Sequence, residues 1–301
     1  MATAAEPRPA ELPLGGGRER ATVRLHPLLT GRMIGPRAWF LREEGRLAWR
    51  KALGIGVPKA NWLSVPVPAF LVEHPGAGPL LIDTGFHPSV AVNPRQNLGR
   101  LALFTFKDLT MNPDQAVSAQ LRARGIEPAS IRTVVMTHLH IDHASAIAEY
   151  PHATFVVARG EWEAATSKGQ LDGYVKRQFD HAFDYRLLDF EGDADASSFA
   201  GFGRTFDLFG DGSVRCVYTP GHTLGHMSVV LRTAAREVLL VGDALYMRAT
   251  LDASHLPYRT ADEHLFRRSL REIQQYVHET PDALVIPSHD WDTWRGLEES
   301  Y

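Results

Sequence analysis

Cysteine is almost absent from this 301-residue chain, since Cys216 stands alone and cannot form an internal disulfide. Its neighbours in Val214–Tyr218 alternate between apolar and polar residues, as in a strand, so we interpret Cys216 as a buried thiol rather than a nucleophile. A chain of this length can bury enough surface to fold without disulfides. A reducing compartment is therefore expected, and we predict a soluble, cytoplasmic protein.

Long apolar runs and a basic excess are also missing. No window approaches the roughly 20 apolar residues of a membrane-spanning helix, and the acidic, proline-containing N-terminus lacks the apolar stretch of a signal peptide. The formal net charge is −3, whereas nucleic-acid-binding surfaces usually carry a basic excess. These absences predict a protein with neither a membrane nor a nucleic acid as its partner.

The pattern of segments predicts an arm followed by one domain. Residues 1–20 contain several prolines and the triplet Gly15–Gly17, which favours a disordered N-terminal arm. Residues 21–301 show no repeat and no linker, so a single domain is predicted. Within it, strand-like and helix-like segments alternate, which favours a mixed α/β (α+β) fold with sheet at the centre and helices outside. The predicted strands are Val65–Glu73, Pro79–Asp83, Ile131–Met136, Thr154–Ala158, Val214–Thr219, Met227–Leu231, Glu237–Val241 and Ala283–Ile286; helices are predicted from Asn112 to Gly125 and over 262–278.

Residues 32–63, here called the aromatic segment, have weak periodicity. The segment holds Trp39, Phe40, Trp49 and Trp62 among several arginines. A lid over a site, a contact in a homodimer and ordinary packing are equally compatible with this pattern.

Acids and histidines cluster directly after the predicted strands. The densest group follows Ile131–Met136 and reads Thr137-His138-Leu139-His140-Ile141-Asp142-His143. Imidazole and carboxylate groups suit zinc and similar metals. A chance cluster of polar loop residues is the plainer alternative, but three further groups follow other strands. They are centred on His222 in Thr219–Thr223, on Asp243 after Val241-Gly242, and on His289 after Ile286-Pro287-Ser288.

This order of motifs resembles the metallo-β-lactamase superfamily from about residue 22 to the end of the chain. The resemblance implies a four-layer αβ/βα sandwich with metals at the sheet ends. It also implies seven metal ligands and an aspartate, Asp83 in Asp83-Thr84-Gly85, that orients ligands without binding metal. By position, the first ion would bind His138, His140 and His222, the second would bind Asp142, His143 and His289, and Asp243 would bridge both.

Two neighbouring ions imply a hydrolase. They would share a water whose pKa falls towards 7, so that a bridging hydroxide attacks the substrate while the metals polarise its carbonyl. This ligand set accepts zinc, and also iron, manganese or cobalt.

The substrate is a small ester-like molecule, and several features narrow its class. No thiolate stands at the second metal, unlike in one major class of true β-lactamases, and no basic arm indicates a nuclease. A hydroxyacylglutathione hydrolase of the glyoxalase II type fits the ligands but usually carries a C-terminal helical domain, whereas this chain ends at Tyr301, shortly after His289.

Tyr246, three residues after Asp243, favours a lactonase. Its position resembles that of the N-acyl-homoserine lactonases, in which this tyrosine assists catalysis at the lactone carbonyl. We therefore predict opening of an N-acyl-homoserine lactone ring, with Tyr246 and Asp142 as the catalytic residues. A glyoxalase II-type thioesterase, another ester or lactone hydrolase and a non-catalytic metal-binding relative remain the alternatives, because Tyr246 could merely pack and Ala144–Ala146 replaces glycines common in the lactonases.

The remaining histidines receive no ligand role. His226 is interpreted as a core histidine or as a support for the ligands. Eight others receive no functional prediction: His26, His74, His87, His152, His181, His255, His264 and His278.

Overall fold

Two β-sheets lie at the centre of the protein, for which a computed structural model describes residues 4–105 and 107–301. The strands are β1 (Arg8–Pro9), β2 (Arg24–Pro36), β3 (Trp62–His74), β4 (Gly78–Ile82), β5 (Lys107–Thr110), β6 (Thr133–Val135), β7 (Thr154–Ala158), β8 (Asp184–Leu188), β9 (Ser197–Phe199), β10 (Phe202–Asp207), β11 (Val214–Tyr218), β12 (Met227–Arg232), β13 (Glu237–Leu240) and β14 (Leu284–Ile286). The larger sheet has the order β1-β8-β7-β6-β4-β3-β2-β5, and the smaller sheet has the order β14-β13-β12-β11-β10-β9.

Helices cover the outer faces of both sheets. They are α1 (Arg37–Phe40), α2 (Ala48–Ala52), α3 (Pro94–Thr105), α4 (Val117–Ala123), α5 (Arg159–Ser167), α6 (Lys176–Phe179), α7 (Arg248–Ala253), α8 (Glu263–Glu279) and α9 (Trp291–Arg295). Among the described residues, no helix combines the length and the apolar character needed to cross a membrane.

Three apolar layers hold the sheets and helices together. Between the sheets, side chains such as Leu25 and Val72 share one core with Val229. Outside the larger sheet, residues of α4, α5 and α6 form a second core, and outside the smaller sheet Leu270 and Ile273 of α8 pack on its strands. The predicted four-layer sandwich is confirmed.

Strand direction brings the predicted site loops to one edge of each sheet. β4 and β6 pair in parallel, and so do β13 and β14. β11 runs parallel to β13, because both pair antiparallel with β12. Every loop that carries a predicted ligand therefore leaves the carboxyl end of its strand, where loops of α/β proteins commonly form sites.

One predicted helix is interrupted. Instead of a helix from Asn112 to Gly125, a 3-10 turn over Pro113–Gln115 precedes α4, and Ala116 between them has an extended ψ of 135°. The physical reason is the backbone of Ala116, because an extended residue cannot continue the helical turn and α4 begins only after it.

The described part of the N-terminal arm lies against the domain, where the sequence predicts disorder. β1 pairs in parallel with β8, and the Leu14 amide donates to the Leu208 carbonyl at 2.8 Å. Ala5 is buried. The unpaired edge of β8 offers hydrogen-bond partners that local composition does not reveal. The division into an arm and one domain over 21–301 stays a prediction.

Candidate metal centre

The loop after β6 presents its polar side chains through a tight turn. The His140 carbonyl accepts hydrogen bonds from the amides of His143 and Ala144 at 3.0 and 2.9 Å. Leu139 is fully buried and anchors the turn in the core outside the larger sheet. The turn therefore brings the rings of His138 and His143 together, with their centroids 4.1 Å apart.

Four side chains form what we call the first cluster: His138, His140, His222 and Asp243. One potential ligand atom from each lies within 4.8 Å of the others. His222 Nε2 lies 2.9 Å from His140 Nδ1 and 3.2 Å from Asp243 Oδ2. His138 Nε2 lies 3.6 Å from the same carboxylate oxygen.

Asp142, His143 and His289 form the second cluster, again within 4.8 Å. The Nε2 atoms of His143 and His289 each lie 3.3 Å from Asp243 Oδ1. The two oxygens of Asp243 thus face different clusters, Oδ2 the first and Oδ1 the second.

In the second cluster, the Nδ1 atoms of both histidines contact oxygen atoms outside the cluster. His143 Nδ1 lies 2.7 Å from Asp83 Oδ2, and His289 Nδ1 lies 2.9 Å from the Pro66 carbonyl. Asp83 has a φ of 58° and also accepts hydrogen bonds from the amide and hydroxyl of Thr137. Such bonds fix the tautomer, so that Nε2 keeps its lone pair towards the cluster.

Within the described ranges, several buried side-chain atoms at the centre have no hydrogen-bond partner. These are His138 Nε2, Asp142 Oδ2, His143 Nε2 and Asp243 Oδ1. Leaving a buried polar atom unpaired costs about 1–3 kcal/mol, so four of them converging on one place require an explanation. Imidazole nitrogens and carboxylate oxygens are ligands of zinc and similar divalent ions, so the residues fit metal binding.

The first cluster is neutral at its histidines. Burial lowers the pKa of His138 and of His222 well below the usual value, and it lowers the pKa of His140 to about 4. Neutral imidazoles are the form that binds metal ions.

The second cluster attracts positive charge instead. Burial opposes protonation of His143, but the carboxylates of Asp142, Asp243 and Asp83 outweigh it and raise the pKa of His143. Asp243 and Asp142 likewise outweigh burial and raise the pKa of His289. A divalent cation would satisfy the same excess of negative charge.

Tyr246 lies beside both clusters. Its hydroxyl is 3.4 Å from His222 Nδ1, and its ring centroid is 5.3 Å from that of His289. Burial, reinforced by Asp243 and Asp142, raises the pKa of Tyr246 well above its usual value. The phenol is therefore protonated at neutral pH and can donate a hydrogen bond at the site.

The aromatic segment approaches the centre at Phe40. Phe40 is buried, with its ring 5.8 Å from Tyr246 and 6.2 Å from His289. Trp39 packs against Tyr258 at 5.8 Å. Further along, Trp49 is 47% exposed. The choice between lid, dimer contact and packing stays a prediction.

Two supporting residues lie behind the clusters. His226 Nε2 accepts a hydrogen bond from the Asp243 amide at 3.0 Å, and its Nδ1 contacts the Thr219 hydroxyl at 2.9 Å, so it supports the ligand loop. Glu161, which the sequence reasoning missed, is fully buried behind the first cluster. The sequence signal that could have identified Glu161 is its position, because it is an acid shortly after the predicted strand Thr154–Ala158.

Comparison with known proteins agrees with this architecture. Residues 64–295 match the family model of the metallo-beta-lactamase superfamily. The fold and the clustered ligands define this class of protein, and the chain belongs to the metallo-β-lactamase superfamily.

Its relatives include named lactonases. The chain is 32% identical over 240 residues to the N-acyl homoserine lactonase AttM of Rhizobium radiobacter, covering 78% of this chain and 86% of that protein. It is 26% identical to an N-acyl homoserine lactonase of Bacillus cereus, covering 83% of this chain and 91% of that protein. The resemblance inferred from the motifs is confirmed.

A solved structure shares the fold. It is that of an N-acyl homoserine lactone hydrolase with the product N-hexanoyl-L-homoserine bound at the catalytic metal centre. The TM-score is 0.73 at 22% identity, and the match covers 92% of this chain and 97% of that one.

Proposed function

We propose that this protein opens the ring of N-acyl-homoserine lactones, small-molecule substrates, in the cytoplasm, using two divalent metal ions. The observation that carries the proposal is the position of Asp243, whose two oxygens face separate clusters of buried ligands beside the protonated phenol of Tyr246. The names of the relatives support the substrate class.

The proposed ligands follow the two clusters. His138, His140 and His222 would hold the first ion, and Asp142, His143 and His289 would hold the second. Asp243 would bridge them. Zinc is the preferred metal because the donors are imidazoles and carboxylates, although iron, manganese and cobalt accept the same donors.

When bound, the metal ions supply Lewis acidity, which activates water and polarises the lactone carbonyl. Tyr246 donates a hydrogen bond to the oxygen on which negative charge develops, and its burial keeps this donor in place. Cleavage of the ring C–O bond leaves an alkoxide that needs a proton. Asp142, whose buried Oδ2 lies 3.4 Å from His289 Nε2, would take the proton that the attacking water loses and pass it to this alkoxide.

A hydrolysis panel tests the substrate class. Metal-replete protein is assayed with N-acyl-homoserine lactones, an acyl-glutathione thioester, a β-lactam and a phosphodiester, with the Asp243→Asn variant as the matched control. We expect the highest kcat/KM for the lactones and its loss in the variant. Turnover of the thioester without lactone opening would replace this proposal with a glyoxalase II-type thioesterase.

A further inference from the structure

Glu161 lies in the first turn of α5 and is fully buried. Its Oε1 accepts a hydrogen bond from the Leu139 amide at 2.8 Å, and its Oε2 accepts one from the Thr223 hydroxyl at 2.5 Å. Burial raises the pKa of the Glu161 carboxyl group, and hydrogen bonding with Thr223, Leu139, Tyr174 and Gly225 opposes that rise. The carboxylate therefore satisfies donors from several separate segments.

The segments it joins carry the ligands of the first cluster. Leu139 stands between His138 and His140, and Thr223 follows His222 directly. Tyr174 adds a further link, because its ring lies 4.9 Å from that of His140 and its backbone forms a bridge with His140. One side chain thus links the segments that carry all three histidines of the first cluster.

The loop containing His222 also contacts α5 closely enough to require glycine. A Cβ atom at Gly225 would lie 1.8 Å from the Glu161 amide nitrogen. The backbone of this loop therefore packs directly on the start of α5, the turn that carries Glu161.

The second cluster has different supports. Asp83 holds His143, and the Pro66 carbonyl holds His289. None of the hydrogen bonds of Glu161 within the described residues goes to these supports or to Asp142. Mutation of Glu161 therefore leaves these supports of the second cluster in place.

We propose that Glu161 is a positioning residue that sets the metal affinity of the first cluster. This inference rests on the proposed function in assuming that the clusters bind metal. It extends the function to a residue that touches neither metal nor substrate. Groups of this type typically change metal affinity by about ten- to a hundredfold.

The test isolates each cluster. His289→Ala leaves the first cluster intact, and His222→Ala leaves the second intact. Glu161→Gln is added to each, because glutamine keeps the shape of the side chain but turns an N–H towards a donor. Zn²⁺ affinity of the chelator-stripped proteins is measured by competition with a chromophoric chelator.

We expect Glu161→Gln to weaken Zn²⁺ binding by roughly ten- to a hundredfold in the His289→Ala background and to leave it unchanged in the His222→Ala background. Equal weakening in both backgrounds would mean a general structural role, and no weakening in either would mean no role. Both results overturn the proposal.

Two further variants keep the test independent of folding. Thr223→Val removes one donor while Glu161 stays, and it should weaken only the first cluster by a smaller factor. Glu161→Asp keeps the charge and should restore part of the affinity. Circular dichroism of the metal-free variants checks the fold. Since the readout is affinity without substrate, absence of lactone turnover in the wild type would contradict the proposed function alone.

Discussion

The metal centre and the aromatic segment adjoin each other but are built in opposite ways. At the centre, polar side chains on short loops are held by directed hydrogen bonds, such as that from His143 to Asp83 at 2.7 Å. In the aromatic segment, large apolar side chains range from buried Phe40 to Leu47, which is 59% exposed. The centre therefore depends on directed polar contacts, whereas the segment presents apolar side chains that differ widely in exposure.

The largest effect of a mutation on activity is expected at Asp243, whose two oxygens face the two clusters of the centre. In Asp243→Asn, an amide oxygen is a poor bridge between two cations, so the second ion should be lost. A metal ion stabilises the transition state by several kcal/mol, and a loss of about 4 kcal/mol of this stabilisation lowers kcat roughly a thousandfold. Elemental analysis and lactone kinetics measure both effects, with circular dichroism to confirm a retained fold. Unchanged turnover would remove Asp243 from the site.

A smaller effect is expected at Tyr246, where the two regions meet. Tyr246→Phe removes a hydrogen-bond donor but keeps the ring that packs on Phe40. One preorganised donor is worth on the order of 3 kcal/mol, but the metals share this load, so we expect roughly a ten- to hundredfold lower kcat for lactones. Metal content should stay the same. Wild-type kinetics with both ions bound would make Tyr246 a packing residue and move the thioesterase alternative forward.

The smallest effect on chemistry is expected in the aromatic segment. If Trp39 and Phe40 contact the acyl chain, the double variant Trp39→Ala/Phe40→Ala should have a KM roughly tenfold higher for long-chain lactones. The increase should be smaller for short-chain lactones. Trp49→Ala, in the exposed part of the same segment, is the matched control and should leave KM unchanged.

Folding must be separated from substrate binding in this experiment. Removing a buried ring such as Phe40 costs about 3–5 kcal/mol of stability, so Trp39→Ala alone is measured as well. Equal effects on short and long chains would indicate a folding or dimer role for the segment.

The same contrast explains what the sequence could predict. The positions of the candidate ligands were predictable because each follows a strand in a short turn, as Asp243 follows β13. The strand Thr154–Ala158 was predicted with its observed bounds, because a buried β-branched run is a local signal.

Features that depend on distant contacts were not predictable. Glu161 bonds to residues 22 and 62 positions away, and nothing near it in sequence marks those donors. The placement of the arm depends on β8 and on Leu208, which lie far along the chain. The break at Ala116 lies in an extended backbone conformation that alanine, a good helix former, does not indicate.

Metal content measured together with lactone turnover tests the central claim most directly. Protein purified without chelator should contain close to two ions per chain, as the two clusters predict. Stripping the metal should abolish lactone opening, and adding Zn²⁺ should restore it in parallel with occupancy of both sites. A chain that reaches full activity with one ion, or that stays active without metal, would contradict the dinuclear lactonase.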